Sequence, residues 1–148
     1  MKLRHDMLNH GVNIVCAQHE GQVRGLTVAW ATQVGTDHVL ICVGAQSSTR
    51  EFILASRAFG LSVLAREQIE LARRFGRHSS RSVNKFEGVS YHIAETGSPL
   101  LDECALTLDC RVVAVHDHGR EKLIIGRVVA AEQLVTGYEP LIYRQEDY

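Results

Sequence analysis

Apolar residues along this chain fall in short runs separated by polar turns, the spacing of a β-rich fold rather than of long helices. Val12 to Ala17 is a short apolar run and predicts a strand. Val23 to Val34 is rich in Thr and Val and contains Trp30, residues favoured on a pleated surface, and predicts one longer strand. His38 to Val43 is apolar throughout and predicts a central strand. Leu61 to Leu64 and Val89 to Ala94 predict shorter ones. Leu106 to His116 alternates, with Leu106, Leu108, Cys110, Val112 and Ala114 on one face and Asp109 and Arg111 on the other. Lys122 to Ala131 follows, so His118-Gly119-Arg120-Glu121 is the turn of a long antiparallel hairpin. Leu141-Ile142-Tyr143 predicts a last short strand. Two segments carry a helical period instead. Arg50 to Arg57 sets Phe52, Ala55 and Phe59 along one stripe, and Arg66 to Phe75 sets Ile69, Ala72 and Phe75 on one face, with Glu70 able to pair with Arg73 or Arg74. Gly76 to Gly88 is polar, basic and irregular, a loop between segments that need a shared core.

Six or seven strands with two short helices predict a mainly β fold, an antiparallel barrel with helical insertions. A doubly wound sheet is not expected: Gly-x-Gly-x-x-Gly and the Walker loop are both absent. The length of 148 residues predicts a single domain over 1–148, and 45% hydrophobic content supplies its core. The net charge of −1 and the 6% aromatic content argue against nucleic acid and against an anionic membrane as partners. Cys16, Cys42, Cys104 and Cys110 include no Cys-x-x-Cys pair, and three of them lie in apolar runs, which suits buried free thiols in a reducing cytoplasm. The amino terminus lacks the apolar core of a secretion signal, and no stretch is long enough to span a membrane.

The most telling stretch is Ala45-Gln46-Ser47-Ser48-Thr49-Arg50-Glu51. Three consecutive hydroxyls stand where a helix begins, at the place where free N–H groups and the positive end of the helix dipole converge on an anion. The same residues also suit plain helix capping by Ser48 or Thr49. The stretch Arg66 to Lys85 carries Arg66, Arg73, Arg74, Arg77, Arg81 and Lys85 against Glu67 and Glu70, either a solvated face or an arm that meets an anionic ligand. His116 and His118 share a strand end without a third ligand in view, so no metal site is predicted. No nucleophile elbow is present, and no side chain stands out as a catalytic acid or base.

Taken in order, these pieces resemble the flavin reductase-like family, the FMN-binding split barrels. The resemblance rests on Gly11-Val12, Gly25 to Trp30, Ser47-Ser48-Thr49, Leu61 to Leu64, Leu71 to Gly76 and Lys85-Phe86-Glu87-Gly88-Val89. It continues through Leu108 to Arg111, Ile124 to Val128 and Pro140 to Tyr143. It implies an antiparallel split β-barrel working as a homodimer with one FMN, or FAD in its place, per subunit. By position, Thr27, Val28, Ala29, Trp30, Ala31, Thr32 and Gln33 would line the ring and ribityl chain, Ser47, Ser48 and Thr49 would hold the phosphate, and Phe75, Gly76, Arg81 and Lys85 would close over the cofactor. Two departures stand out: Asp37-His38-Val39 follows the first flavin strand where members usually carry Asp-Pro-Pro or similar, and Glu121 occupies a position where many members that oxidise NADH or NADPH carry histidine.

The resemblance implies an oxidoreductase in which NADH or NADPH passes hydride to the flavin for a redox partner or a monooxygenase. The alternatives are a non-enzymatic FMN electron carrier that docks a redox protein, which Glu121 favours, and a barrel of this type that holds a ligand other than flavin.

Overall fold

The computed structural model describes residues 1–77 and 83–148. The chain enters β1 (Asn13–His19), turns through Glu20-Gly21, both at positive φ, and returns along β2 (Gln22–Val28). The expected long strand over Val23–Val34 then breaks. At the break the Ala31 N–H donates back to the Ala29 carbonyl at 2.9 Å, a three-residue turn, and the Trp30 carbonyl accepts from Cys42 N–H at 2.9 Å. Beyond it β3 (Ala31–Gln33) no longer pairs with β1; it pairs antiparallel with β4 (His38–Gly44). Two residues therefore carry the chain from one edge of the sheet to the other.

Helix α1 (Ser48–Ser56) leads into β5 (Ala58–Val63), and a single 3₁₀ turn leads into α2 (Ile69–Arg77). A small pair, β6 (Tyr91–Ile93) and β7 (Pro99–Leu101), precedes the long hairpin of β8 (Leu106–His118) and β9 (Glu121–Gln133). Seven strands form one curled antiparallel sheet in the order β2-β1-β5-β8-β9-β4-β3, with β6-β7 apart. The mainly β, antiparallel architecture expected from the sequence is present.

The two helices cover different faces because β1 is buried on both. Val15 and Ala17 join Val28, Ile41, Phe52, Ile53, Phe59 and Ile124 in one core, so α1 plugs the concave side of the sheet. Ile14 and Cys16 join Leu64, Ala72, Phe75, Phe86 and Leu101 in a second core, under α2. Period-2 alternation sends Ile14 and Cys16 to one core and Val15 and Ala17 to the other. Glu70 pairs with Arg73, one of the two partners predicted for it.

Several boundaries differ from the pattern-based expectation. α1 begins at Ser48, because Ser47 is its N-cap, and β5 begins at Ala58 instead of Leu61. Gly76 and Arg77, expected in a loop, belong to α2, and residues 78–82 of that expected loop lie outside the described residues. β7 went unforeseen: it is three residues long and opens on proline, which weakens any strand signal. The stretch Leu141 to Tyr143 does not form a strand: it makes an isolated bridge, Ile142 with Gly11, beside one between Pro140 and Ala65, and exchanges single backbone hydrogen bonds with His10, Val12 and Leu64. Asp109 was expected on the solvent face of β8. It is buried, and its carboxylate accepts bonds from the Thr96 hydroxyl and N–H. Two irregularities in the β8·β9 register, at Asp109/Cys110 and Val112/Ala114, disrupt the alternation there.

Candidate functional site

The sheet's curl leaves a cleft between β2 with the following corner, β4 with the start of α1, and α2. Its polar end is built on the first turn of α1. The Ser47 hydroxyl accepts the Arg50 N–H at 3.3 Å, so capping is Ser47's role. Ser48 and Thr49 follow inside the first turn and are only 4% and 1% exposed. The N–H groups of an opening helical turn have no intrahelical acceptor, and the dipole adds positive potential there. Lys85 stands at the same end, 4% exposed, with its ammonium donating to the Gly25 and Phe75 carbonyls at 2.8 Å each. An ammonium carries three donors, so these two bonds leave one. Burial lowers the Lys85 pKa to about 8. These residues line a cavity of about 340 Å3 with Leu26, Thr27, Gln46, Phe75, Gly76 and Arg77. Charge here is cationic: among the described residues lysine and arginine line it and no carboxylate does.

The close approach of β2 to α2 depends on Gly25. A Cβ there would stand 2.9 Å from the Phe75 ring and 3.1 Å from Cys16 Sγ. The Thr27 hydroxyl fixes the same contact by donating to the Ala72 carbonyl at 2.6 Å.

The other end of the cleft has an aromatic wall in place of the lysine and the helix start. A cavity of about 280 Å3 is lined by Leu26 to Trp30, Cys42 to Gly44, Gln46, Glu121, His5 and Tyr143. Trp30, 37% exposed, packs edge-on to His5 with ring centroids 5.2 Å apart and donates its indole N–H to the His5 carbonyl at 3.4 Å. The segment bearing His5 is tied to the chain's other end by Arg4 with Glu146 and by Asp6 with the Gln145 N–H. The Arg4 guanidinium and that N–H hold the Asp6 carboxyl down at about 2. The Cys42 thiol lies 3.8 Å from a Glu121 carboxylate oxygen, and its pKa is raised by burial and then by that charge. Leu26, Thr27 and Gln46 line both cavities, so the two adjoin along one wall of the cleft.

Of the residues predicted from sequence, Thr27, Val28, Ala29, Trp30, Ser47, Ser48, Thr49, Phe75, Gly76 and Lys85 come together along this cleft. Ala31, Thr32 and Gln33 do not. They line a second cavity of about 300 Å3 with Asn13, His38, Leu61, Leu106, Leu108, Val128 and Ala131. Arg81 lies outside the described residues. Sequence reasoning missed Leu26, Cys42, Gln46, His5 and Tyr143, whereas Arg77 belongs to the basic stretch it singled out. Gln46 and Leu26 adjoin segments already singled out, whereas His5 and Tyr143 arrive by long-range packing with no local signal. Among the described residues no group of three or more His, Cys, Asp or Glu could hold a metal, and no helix is long and apolar enough to cross a membrane.

The cleft's chemistry suits a flavin mononucleotide: a cationic, N–H-rich end for a phosphate, and an end with an aromatic wall for a ring system. Comparison with known proteins points the same way. The chain is 34% identical over 144 residues to an FMN reductase (NADH), RutF 2, of Rhizobium rhizogenes, covering 95% of this chain and 82% of that one. It is 33% identical over 140 residues to the high molecular weight rubredoxin of Moorella thermoacetica, covering 92% of this chain and 61% of the relative. Reductase components of flavin-dependent and nitrophenol monooxygenases are also among its relatives. Among solved structures, the NADH:FAD oxidoreductase SgcE6 of Streptomyces globisporus C-1027 superimposes with a TM-score of 0.84 at 27% identity, over 92% of this chain and 82% of that one. Residues 4–148 match the flavin reductase like domain, and the chain belongs to that family.

Proposed function

We propose that residues 1–148 act as one flavin reductase domain that binds FMN, or FAD in its place, along the cleft and reduces it with NADH or NADPH for use by a monooxygenase or another redox partner. The observation that carries this reading is that two unlike ends adjoin, sharing Leu26, Thr27 and Gln46 as a common wall. A bound flavin supplies the chemistry: it accepts a hydride, two electrons and a proton, from the dihydronicotinamide. The chain's own residues bind and orient. Ser48, Thr49 and Lys85 hold the phosphate, and Ser47 keeps the helix start in place. Leu26 to Trp30 form one wall beside the ring and ribityl chain, with Gln46 at the junction. Phe75 and Gly76 close the cleft from α2. Ala31, Thr32 and Gln33 are left out of this assignment, since they line the second cavity.

The relatives named as NADH-dependent FMN reductase and as monooxygenase reductase components support the enzymatic reading. A second reading, an electron carrier without nicotinamide activity, draws support from the rubredoxin relative and from Glu121 on the cleft wall. One anaerobic titration separates them. Protein reconstituted with FMN is mixed with NADH, and bleaching of the flavin band near-stoichiometrically with NADH establishes the reductase. A stable oxidised spectrum establishes the carrier, and no bound flavin overturns both.

A homodimer belongs to the same proposal. Trp30, Val34, Val113, Leu134 and Val135 leave apolar surface exposed, which a second copy would cover. Sedimentation should give about twice 16.5 kDa. A cytoplasmic location is likewise proposed, supported by four free cysteines.

A further inference from the structure

We propose that Glu121 biases the cleft against reduced flavin, so that the protein holds the oxidised form more tightly than the reduced form and lets the reduced form go. The inference rests on the flavin reading of the cleft. It assigns to Glu121 a role in setting the balance between two redox states.

The placement follows from register. Glu121 opens β9 directly opposite Gly44 of β4. Residues two apart on the facing strand share a face, which puts Cys42 on Glu121's side of the sheet. The 3.8 Å approach of Cys42 Sγ to the carboxylate bears this out. Gly44 presents no side chain over the carboxylate. A Cβ there would come within 2.7 Å of the Gln46 amide oxygen, so the glycine also admits Gln46 to the same cavity. Leu26, Val28, Trp30 and Val43 supply low-dielectric walls.

The nearby cations do not ion-pair with Glu121. Lys122 pairs with Asp117, and the Arg50 guanidinium, which keeps its charge, is held by the Val43 and Arg120 carbonyls. Among the described residues no ion pair neutralises Glu121. His5 lines the same cavity as the one basic ring there. The cleft thus separates its charges: a cationic end at Lys85 and a carboxylate near the aromatic wall.

An uncharged ring meets this carboxylate at little cost. Hydride uptake adds one negative charge to the ring until a proton follows. Repulsion then acts on the reduced state alone, and only such differential interaction shifts an equilibrium. A unit charge about 10 Å away at an effective dielectric of about 25 changes the affinity ratio about tenfold. For a two-electron couple, tenfold corresponds to a rise of about 30 mV when the charge is removed.

The test compares wild-type protein, Glu121→Gln and Glu121→Asp, each saturated with FMN and reduced stepwise without oxygen against a reference dye. Quenching of Trp30, the single tryptophan, reports affinity for oxidised FMN independently. The expected result is a midpoint potential about 30 mV higher in Glu121→Gln, with Glu121→Asp close to wild type. Equal potentials in wild type and Glu121→Gln, or a lower one in Glu121→Gln, overturn the inference while flavin binding stands. Failure of wild-type protein to quench with FMN overturns the flavin reading and the inference together, a distinct signature. A Glu121→Gln protein that takes up no FMN while Glu121→Asp does also overturns it, since the carboxylate would then be needed for the oxidised form.

Discussion

The cleft and the second cavity share one stretch of chain but differ in what they can hold. Thr27 to Trp30 face the cleft; Ala31, Thr32 and Gln33, the very next residues, line the cavity among Leu61, Leu106, Leu108, Val128 and Ala131. Each part of the cleft, about 280 Å3 and about 340 Å3, is close in size to the second cavity of about 300 Å3. Size therefore does not distinguish them; chemistry does. The cleft has a helix N-terminus and a buried lysine with a spare donor. The second cavity has an apolar floor and a rim of Asn13, Thr32, Gln33, Thr36 and His38 without lysine or arginine. A phosphorylated ligand is selected by that difference, because a dianion in a low-dielectric pocket needs charged or N–H donors.

The hardest blow to the comparison would be an indifferent Lys85. Lys85→Met keeps the stem's bulk and removes the ammonium. A lost hydrogen bond to a charged group costs about 1.5–3 kcal/mol, and here the full charge goes with it, so FMN affinity should fall about a hundredfold. Riboflavin, which lacks the phosphate, should lose at most about threefold. Calorimetric titration of both ligands checks this, and equal losses for the two would place the phosphate elsewhere.

Ser48→Ala with Thr49→Ala should cost FMN about thirtyfold, less than Lys85→Met because the first-turn N–H groups remain. Ser47→Ala acts differently. It removes the cap and should lower stability by about 1 kcal/mol, read as a small drop in melting temperature.

The pH dependence of binding is the next effect in size. Burial holds the Lys85 pKa down at about 8. A bound phosphate favours the protonated lysine and raises that pKa, so FMN binding takes up a proton above pH 8. Affinity is complete below about 8 and falls as pH rises through it, by close to tenfold between pH 7 and 9. Riboflavin binding, and FMN binding to Lys85→Met, should stay flat over the same range. In the ligand-free protein the sign reverses. The unfolded chain keeps its lysine protonated up to about 10.5 while the fold gives up the proton at about 8, so Lys85 adds stability as pH rises between those values.

Much of this was legible in the sequence where the signal is local. The hydroxyl run at Ser47–Thr49 announced a helix start, the Gly119-Arg120 turn announced the β8–β9 hairpin, and the α2 face at Ala72 and Phe75 followed the helical period. Illegible features depend on contacts distant in sequence. Nothing local distinguishes Lys85 from the solvated basic residues around it; its carbonyl partners, Gly25 and Phe75, lie 60 and 10 residues away. Asp109 is buried because Thr96 arrives from the β6–β7 connection. The corner at Ala29-Trp30 escaped for a related reason. Both residues are compatible with a strand, and the break is imposed by the Trp30 carbonyl bonding to Cys42 across the sheet.

That corner sets the smallest and most discriminating prediction. If it divides two separate sites, filling the second cavity should leave flavin alone. Ala131→Leu adds three carbons to a space of about 300 Å3, and Ala131 does not line the cleft. FMN affinity should stay within about twofold. Added bulk in a preformed cavity costs little when the cavity accepts it and about 1–3 kcal/mol in stability when it does not, and a thermal melt run beside the titration tells the two apart. A tenfold loss of FMN affinity at unchanged melting temperature would mean that the ring reaches past Trp30 to Ala31, Thr32 and Gln33. The division drawn at the corner would then be wrong, and the whole run from Thr27 to Gln33 would line one flavin site.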